Sequence, residues 1–221
     1  MKDFLDEIND QELKVIVHSE FYYVFVTNIE NIEKLFNIEI NDESTKQVMY
    51  KMLYANIITA METYLGDAFI NTTFKSDEFI TNFANNYEDT KNRKLSVGEA
   101  LKGEKYLFNI ITDDMQNILY HNLPKVKNIY KFTLGVDFPK DTGKLMENMS
   151  IRHDIIHRNG KNKHNDEIQL AKVDIIELKD KIGDFITSVD STLNFIVRNK
   201  SEEDVMKPIY KEVSRRDQFG K

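Results

Sequence analysis

Apolar residues recur three or four positions apart along almost every stretch of this chain, the spacing that keeps side chains on one face of an α-helix. Little breaks the pattern, because the 221 residues contain only 8 Gly and 3 Pro. A β-sandwich or barrel needs turn chemistry every ~8–12 residues, and this chain does not carry it. The expectation is an all-α fold, a bundle of a few long helices.

The pattern divides as follows. Residues 10–36 place Leu13, Ile16, Val17, Phe21, Val24, Phe25, Ile29, Ile32 and Phe36 on one stripe. Asp42-Glu43-Ser44-Thr45 offers capping chemistry for a second helix, whose stripe runs Val48, Met52, Tyr54, Ile57, Ile58, Met61, Leu65, Phe69 and Ile70. Ser76-Asp77-Glu78 opens a short helix reaching about Tyr87, and a polar loop over 88–94 is expected after it. Ser96 with Glu99 matches a capping box, followed by helical spacing through Leu107, Ile110, Ile111, Met115, Ile118 and Leu119. Pro124 reads as an interruption before a helix over 126–134, and residues 135–139 as a turn. Asp141-Thr142 start a helix over 145–158 that Asn159-Gly160 end. A polar loop over 161–165 precedes a last long helix over 173–197.

No cysteine is present, which removes disulfides, thiolate catalysis and thiolate metal sites. The longest apolar run, residues 21–26, is far short of the roughly 18 residues of a membrane span. The start of the chain is acidic and lacks an apolar signal core, so a soluble, cytoplasmic protein without membrane contact is expected. The net charge of −7 is unevenly spread. Residues 1–45 hold 3 Lys/Arg against 11 Asp/Glu, whereas residues 123–164 hold nine basic side chains against four acidic ones. A polyanion can therefore meet a local basic patch, unless these lysines are ordinary solvated helix faces. Three parts are expected: an acidic N-terminal helical segment over 1–45, a helical domain over 46–200, and a charged tail over 201–221.

Three of the five histidines, His153, His157 and His164, fall within twelve residues, together with Arg158, Lys161 and Lys163 and directly after Arg152. Histidine takes and gives protons near neutrality, and arginine is a fixed charge shaped to hold phosphate. Together they suit phosphoryl chemistry with neither metal nor cofactor.

Arg152 precedes His157 by four intervening residues, in the string Arg152-His153-Asp154-Ile155-Ile156-His157-Arg158-Asn159-Gly160. This resembles the Arg-x4-His signature of the HEPN superfamily, in the form of its RiboL-PSP type. Residues 54–65, from Tyr54 to Leu65, resemble that family's first helix. Tyr120-His121-Asn122-Leu123-Pro124-Lys125-Val126, with Tyr130 and Gly135-Val136-Asp137, resembles the segment leading to its motif. The likeness covers about residues 48–196. It implies a homodimer whose motif helices share a cleft, and an endoribonuclease that directs an RNA 2′-hydroxyl at the adjacent phosphodiester. Carried over by position, His157 transfers the proton, Arg152 clamps the phosphate, and His153 is the polar residue after the arginine. A toxin or antiphage effector, with an antitoxin protein as a further partner, follows from the same likeness.

Helix geometry qualifies the motif. Arg152 and His157 lie about 140° apart on an ideal helix, whereas His153 and His157 are i,i+4 neighbours. Leu145, Met149, Arg152 and Ile156 form one stripe. A cleft built from two chains lets each copy contribute from its own side. Glu62 either pairs with Arg152 or faces solvent, and Asp154 either orients a motif histidine or sits exposed. Arg158, Lys161 and Lys163 either meet the RNA backbone or complement the helix dipole. His121 is expected to be a buried or capping histidine, and His18 is given no role. Two other functions compete: a catalytically silent HEPN module for dimerisation or RNA binding, and a metal site on His153, His157 and His164. The metal reading ranks last, because no Glu stands beside the first histidine and no second ligand pair follows.

Overall fold

The computed structural model describes residues 18–140 and 142–199. Among them the chain is all-helical, as its spacing and scarce turn residues predict. The helices are α1 (Glu20–Phe36), α2 (Glu43–Thr73), α3 (Asp77–Asn86), α4 (Glu88–Lys91), α5 (Val97–Ala100), α6 (Glu104–Gln116), α7 (Leu123–Leu134), α8 (Gly143–His157) and α9 (Lys172–Asn199). The β-type pairing among these residues is an isolated antiparallel bridge between Lys161 and Glu167. No described helix is long and apolar enough to cross a membrane. Residues 1–17, with Leu13, Ile16 and Val17 of the expected first stripe, and residues 200–221, with the expected tail, lie outside the described residues, as does Asp141.

The 31-residue α2 is the axis of the bundle, packing against α1, α3, α6, α7, α8 and α9. Its middle is apolar on nearly every side, as a helix surrounded by others must be. Tyr54, Ile57, Ile58, Met61, Tyr64, Leu65 and Phe69 are buried, and small residues let neighbours approach. At Gly66 a Cβ would stand 3.2 Å from the Tyr120 ring. The Tyr130 hydroxyl, deep in the core, donates to the Leu65 carbonyl at 2.6 Å. Aromatic side chains thus serve as core. The periodicity overreaches at the helix ends: Val24, Val48, Met52 and Leu119 are exposed.

Capping residues set most boundaries. The Asp42 carboxylate accepts from the Thr45 amide at 2.7 Å and from both the Ser44 and Thr45 hydroxyls. Ser76 caps α3. The Ser96–Glu99 capping box forms, yet it starts only a four-residue turn. Gly103, at φ 83°, breaks the chain there and α6 begins anew. Part of the expected 88–94 loop is the helical turn α4. It is fastened to α6 because the buried Asp114 carboxylate accepts from the Thr90 hydroxyl at 2.7 Å and pairs with Arg93. Pro124 does not interrupt a helix. It lies in the first turn of α7, where a missing N–H costs nothing, beside the cap Asn122. Gly135, at φ 73°, ends α7 in the left-handed conformation.

Candidate functional site

Helix α8 is held against α2 and α9 by its inner face. Leu145 is buried, Met149 and Ile155 pack on the core, and Asn148 donates to the Tyr54 hydroxyl at 2.6 Å. Burial pushes the Tyr54 hydroxyl up to about 12, so it remains a neutral anchor for the helix. Arg152 continues this inner stripe one turn on, with its side chain 18% exposed. Ile156, which the same spacing puts next, is exposed because α8 ends there.

The helix ends through two consecutive left-handed residues, Asn159 at φ 54° and Gly160 at φ 76°. The Gly160 amide returns to the Asp154 and Ile155 carbonyls. Against Gly160 lies Lys51 of α2, whose ammonium would stand 3.1 Å from a Cβ there. The following loop closes on itself. Asn162 accepts from the His164 and Asp166 amides, and the Ile168 amide donates to the Gly160 carbonyl at 2.8 Å. Lys161, Lys163 and His164 are thereby displayed in solvent beside the helix end.

The residues singled out from sequence divide between two sides of α8. His153 and His157 are exposed, with ring centroids 4.8 Å apart. Arg152 turns toward α2 instead, where its terminal guanidinium nitrogen is 3.7 Å from the Glu62 carboxylate. Glu62 is therefore not a solvent-facing glutamate; only 19% of its side chain is exposed. Asp154 is buried rather than exposed, and its carboxylate engages Arg158 Nε at 3.0 Å rather than a histidine. Arg158, Lys161 and Lys163 form an exposed basic group at the carboxyl end of the helix, where cations are favoured.

His121 is neither buried nor a cap. Asn122 caps α7, and His121, on the turn before it, is 42% exposed and points Nδ1 at Glu62 from 3.6 Å. Glu62 thus stands between a guanidinium and an imidazole. Both separations exceed the ~2.7–2.9 Å of a closed charge-assisted bond. Glu62 Oε1 and Arg152 Nε are buried without a hydrogen-bond partner. The sequence points to Glu62 and Arg152 and places His121 as a buried or capping residue; its approach to Glu62, 59 positions away, carries no local signal.

His18 also has a structural place, with Nδ1 2.9 Å from the wholly buried Asp190 carboxylate. Among the described residues no three His, Asp or Glu side chains gather as a metal-binding group. Comparison with protein-family profiles, curated proteins and solved structures finds no match.

Proposed function

We propose that the chain is a metal-independent endoribonuclease of HEPN type, a cytoplasmic homodimer acting as a toxin or antiphage effector and restrained by an antitoxin protein. The observation that carries this reading is the end of α8, where an inward Arg152 and two exposed histidines lie within the last two turns and an exposed basic loop follows directly. The resemblance of residues 152–160 to the family motif supplies the chemistry. His157 takes the proton of an RNA 2′-hydroxyl as that oxygen attacks the adjacent phosphorus, and Arg152 stabilises the charge that develops. The products are a 2′,3′-cyclic phosphate and a 5′-hydroxyl. His153 flanks the pair, while Arg158, Lys161 and Lys163 meet the RNA backbone. Arg152 and His157 diverge around one helix, and a second copy of α8 across a two-fold axis relieves the divergence.

A second reading, a silent HEPN module for dimerisation or RNA binding, draws on the carboxylates already facing two of these arginines, Glu62 toward Arg152 and Asp154 toward Arg158. Incubation with total RNA in EDTA separates the two. The nuclease reading expects cleavage with cyclic-phosphate ends. It also expects Arg152→Ala and His157→Ala each to lower the rate by about a hundredfold or more while remaining dimeric in light scattering. Absence of cleavage by the wild-type chain favours the silent module. Activity that EDTA abolishes returns the metal reading, and activity that survives His157→Ala removes that residue from the mechanism.

A further inference from the structure

Cleavage by 2′-hydroxyl attack requires two proton transfers, one from the attacking oxygen and one to the departing 5′-oxygen. His157 supplies one group, on the outer side of α8. On the side where Arg152 turns inward, the titratable groups facing it are Glu62 and, across Glu62, His121.

We propose that His121 is a second catalytic residue, the acid that protonates the leaving 5′-oxygen, with Glu62 positioning both it and Arg152. The proposal rests on the nuclease reading above. Its basis is the geometry of the trio. A purely structural ion pair closes to hydrogen-bond distance and satisfies its buried atoms. Here the carboxylate lies 3.6 Å from one cation-forming group and 3.7 Å from the other. Glu62 Oε1 and Arg152 Nε are left without partners, a cost that folds tolerate at sites kept for a ligand. His121 sits on a turn and is 42% exposed, so its ring is open to a substrate while its Nδ1 faces Glu62. In the two-fold cleft proposed above, where the outer side of one α8 faces the inner side of the other, the 2′-oxygen passes its proton to His157 as the O2′–P bond forms. The P–O5′ bond then breaks, and O5′ takes a proton from the His121 imidazolium. Solvent then takes the proton from His157 and returns one to His121, which restores the starting imidazole and imidazolium.

The test compares RNA with uridine 3′-(4-nitrophenyl phosphate), whose leaving group departs without a proton. His121→Ala is expected to lower kcat on RNA by about a hundredfold or more, with KM little changed and partial restoration by added imidazole. On the aryl ester the same variant should stay within about threefold of wild type, while His157→Ala loses activity on both substrates. Glu62→Gln should lower kcat on RNA less than His121→Ala does. His121→Gln serves as a second, shape-conserving variant, and its thermal midpoint verifies folding. A wild-type rate on RNA in both His121 variants overturns the proposal and leaves the nuclease reading standing. Equal losses on both substrates also overturn it, by showing that His121 does not protonate the leaving group. A wild-type chain inactive on both substrates overturns both readings together.

Discussion

Asp190 is the residue whose surroundings state most plainly what holds the N-terminal helix down. Its side chain is wholly buried in α9 and accepts from the Ser19 hydroxyl and amide, the Tyr64 hydroxyl at 2.9 Å and the Asn194 amide at 3.0 Å. His18 Nδ1 lies 2.9 Å away, and its ring stacks on Tyr22 at 3.8 Å. Ser19 is at the same time the cap of α1, accepting from the Tyr22 amide at 3.1 Å. One carboxylate therefore ties α1, α2 and α9 together, and burial with this neighbour raises the Tyr64 hydroxyl well above its ordinary value. Replacing Asp190 with Ala leaves several buried donors unpaired at once. Loss of about 3–5 kcal/mol in urea unfolding is expected. A loss below about 1 kcal/mol would show that α1 docks by its apolar face alone.

At the scale of the element, the pH response of α2 follows from its cap. Hydrogen bonds from the Ser44 hydroxyl, then the Thr45 hydroxyl and amide, hold the Asp42 carboxyl down at about 2, against 3.8 ordinarily. A carboxyl depressed in the folded state contributes stability above its unfolded value, and that contribution fades as pH falls toward 2. Asp42→Ala should thus lower the thermal midpoint at pH 7, and the gap to wild type should narrow between about pH 4 and 2. A gap independent of pH would assign the effect to something other than the ionised cap. This cap was legible in sequence because capping is local: Asp42, Ser76 and the Ser96–Glu99 box all act within three residues. The interiors of α2 and α9 were legible for the same reason, through their spacing. Several features were not legible. The α4 turn depends on Asp114, more than twenty residues away, and the break at Gly103 depends on a φ that spacing does not encode. The approach of His121 to Glu62 joins two elements that only the packed bundle brings together. At the site, the helix and its inward arginine could be read from sequence, whereas the buried state of Asp154 could not, because it depends on the packing of α8.

Across the whole molecule the charge is arranged along the chain in opposite blocks, acidic over 1–45 and basic over 123–164. Where the described residues carry the basic block, part of it is already used. Arg158 answers Asp154, Lys131 answers Asp137, and Arg152 faces Glu62. Lys161 and Lys163 differ, since both are exposed on a loop whose hydrogen bonds are satisfied internally, leaving their ammonium groups to solvent. In the RNA-binding reading proposed above, these two ammonium groups are open to phosphate. Each phosphate neutralised on a single strand releases about 0.7 of a counterion. The logarithm of RNA affinity should therefore fall linearly with the logarithm of salt concentration. Lys161→Ala with Lys163→Ala should flatten that line by at most about 1.4, without shifting the thermal midpoint, because neither side chain packs on the core. Affinity at low salt should fall equally for RNAs of unrelated sequence, since backbone contacts carry no base information. A slope identical to wild type would place the loop outside the interface and move the binding surface to the remaining lysines of α7 and α8.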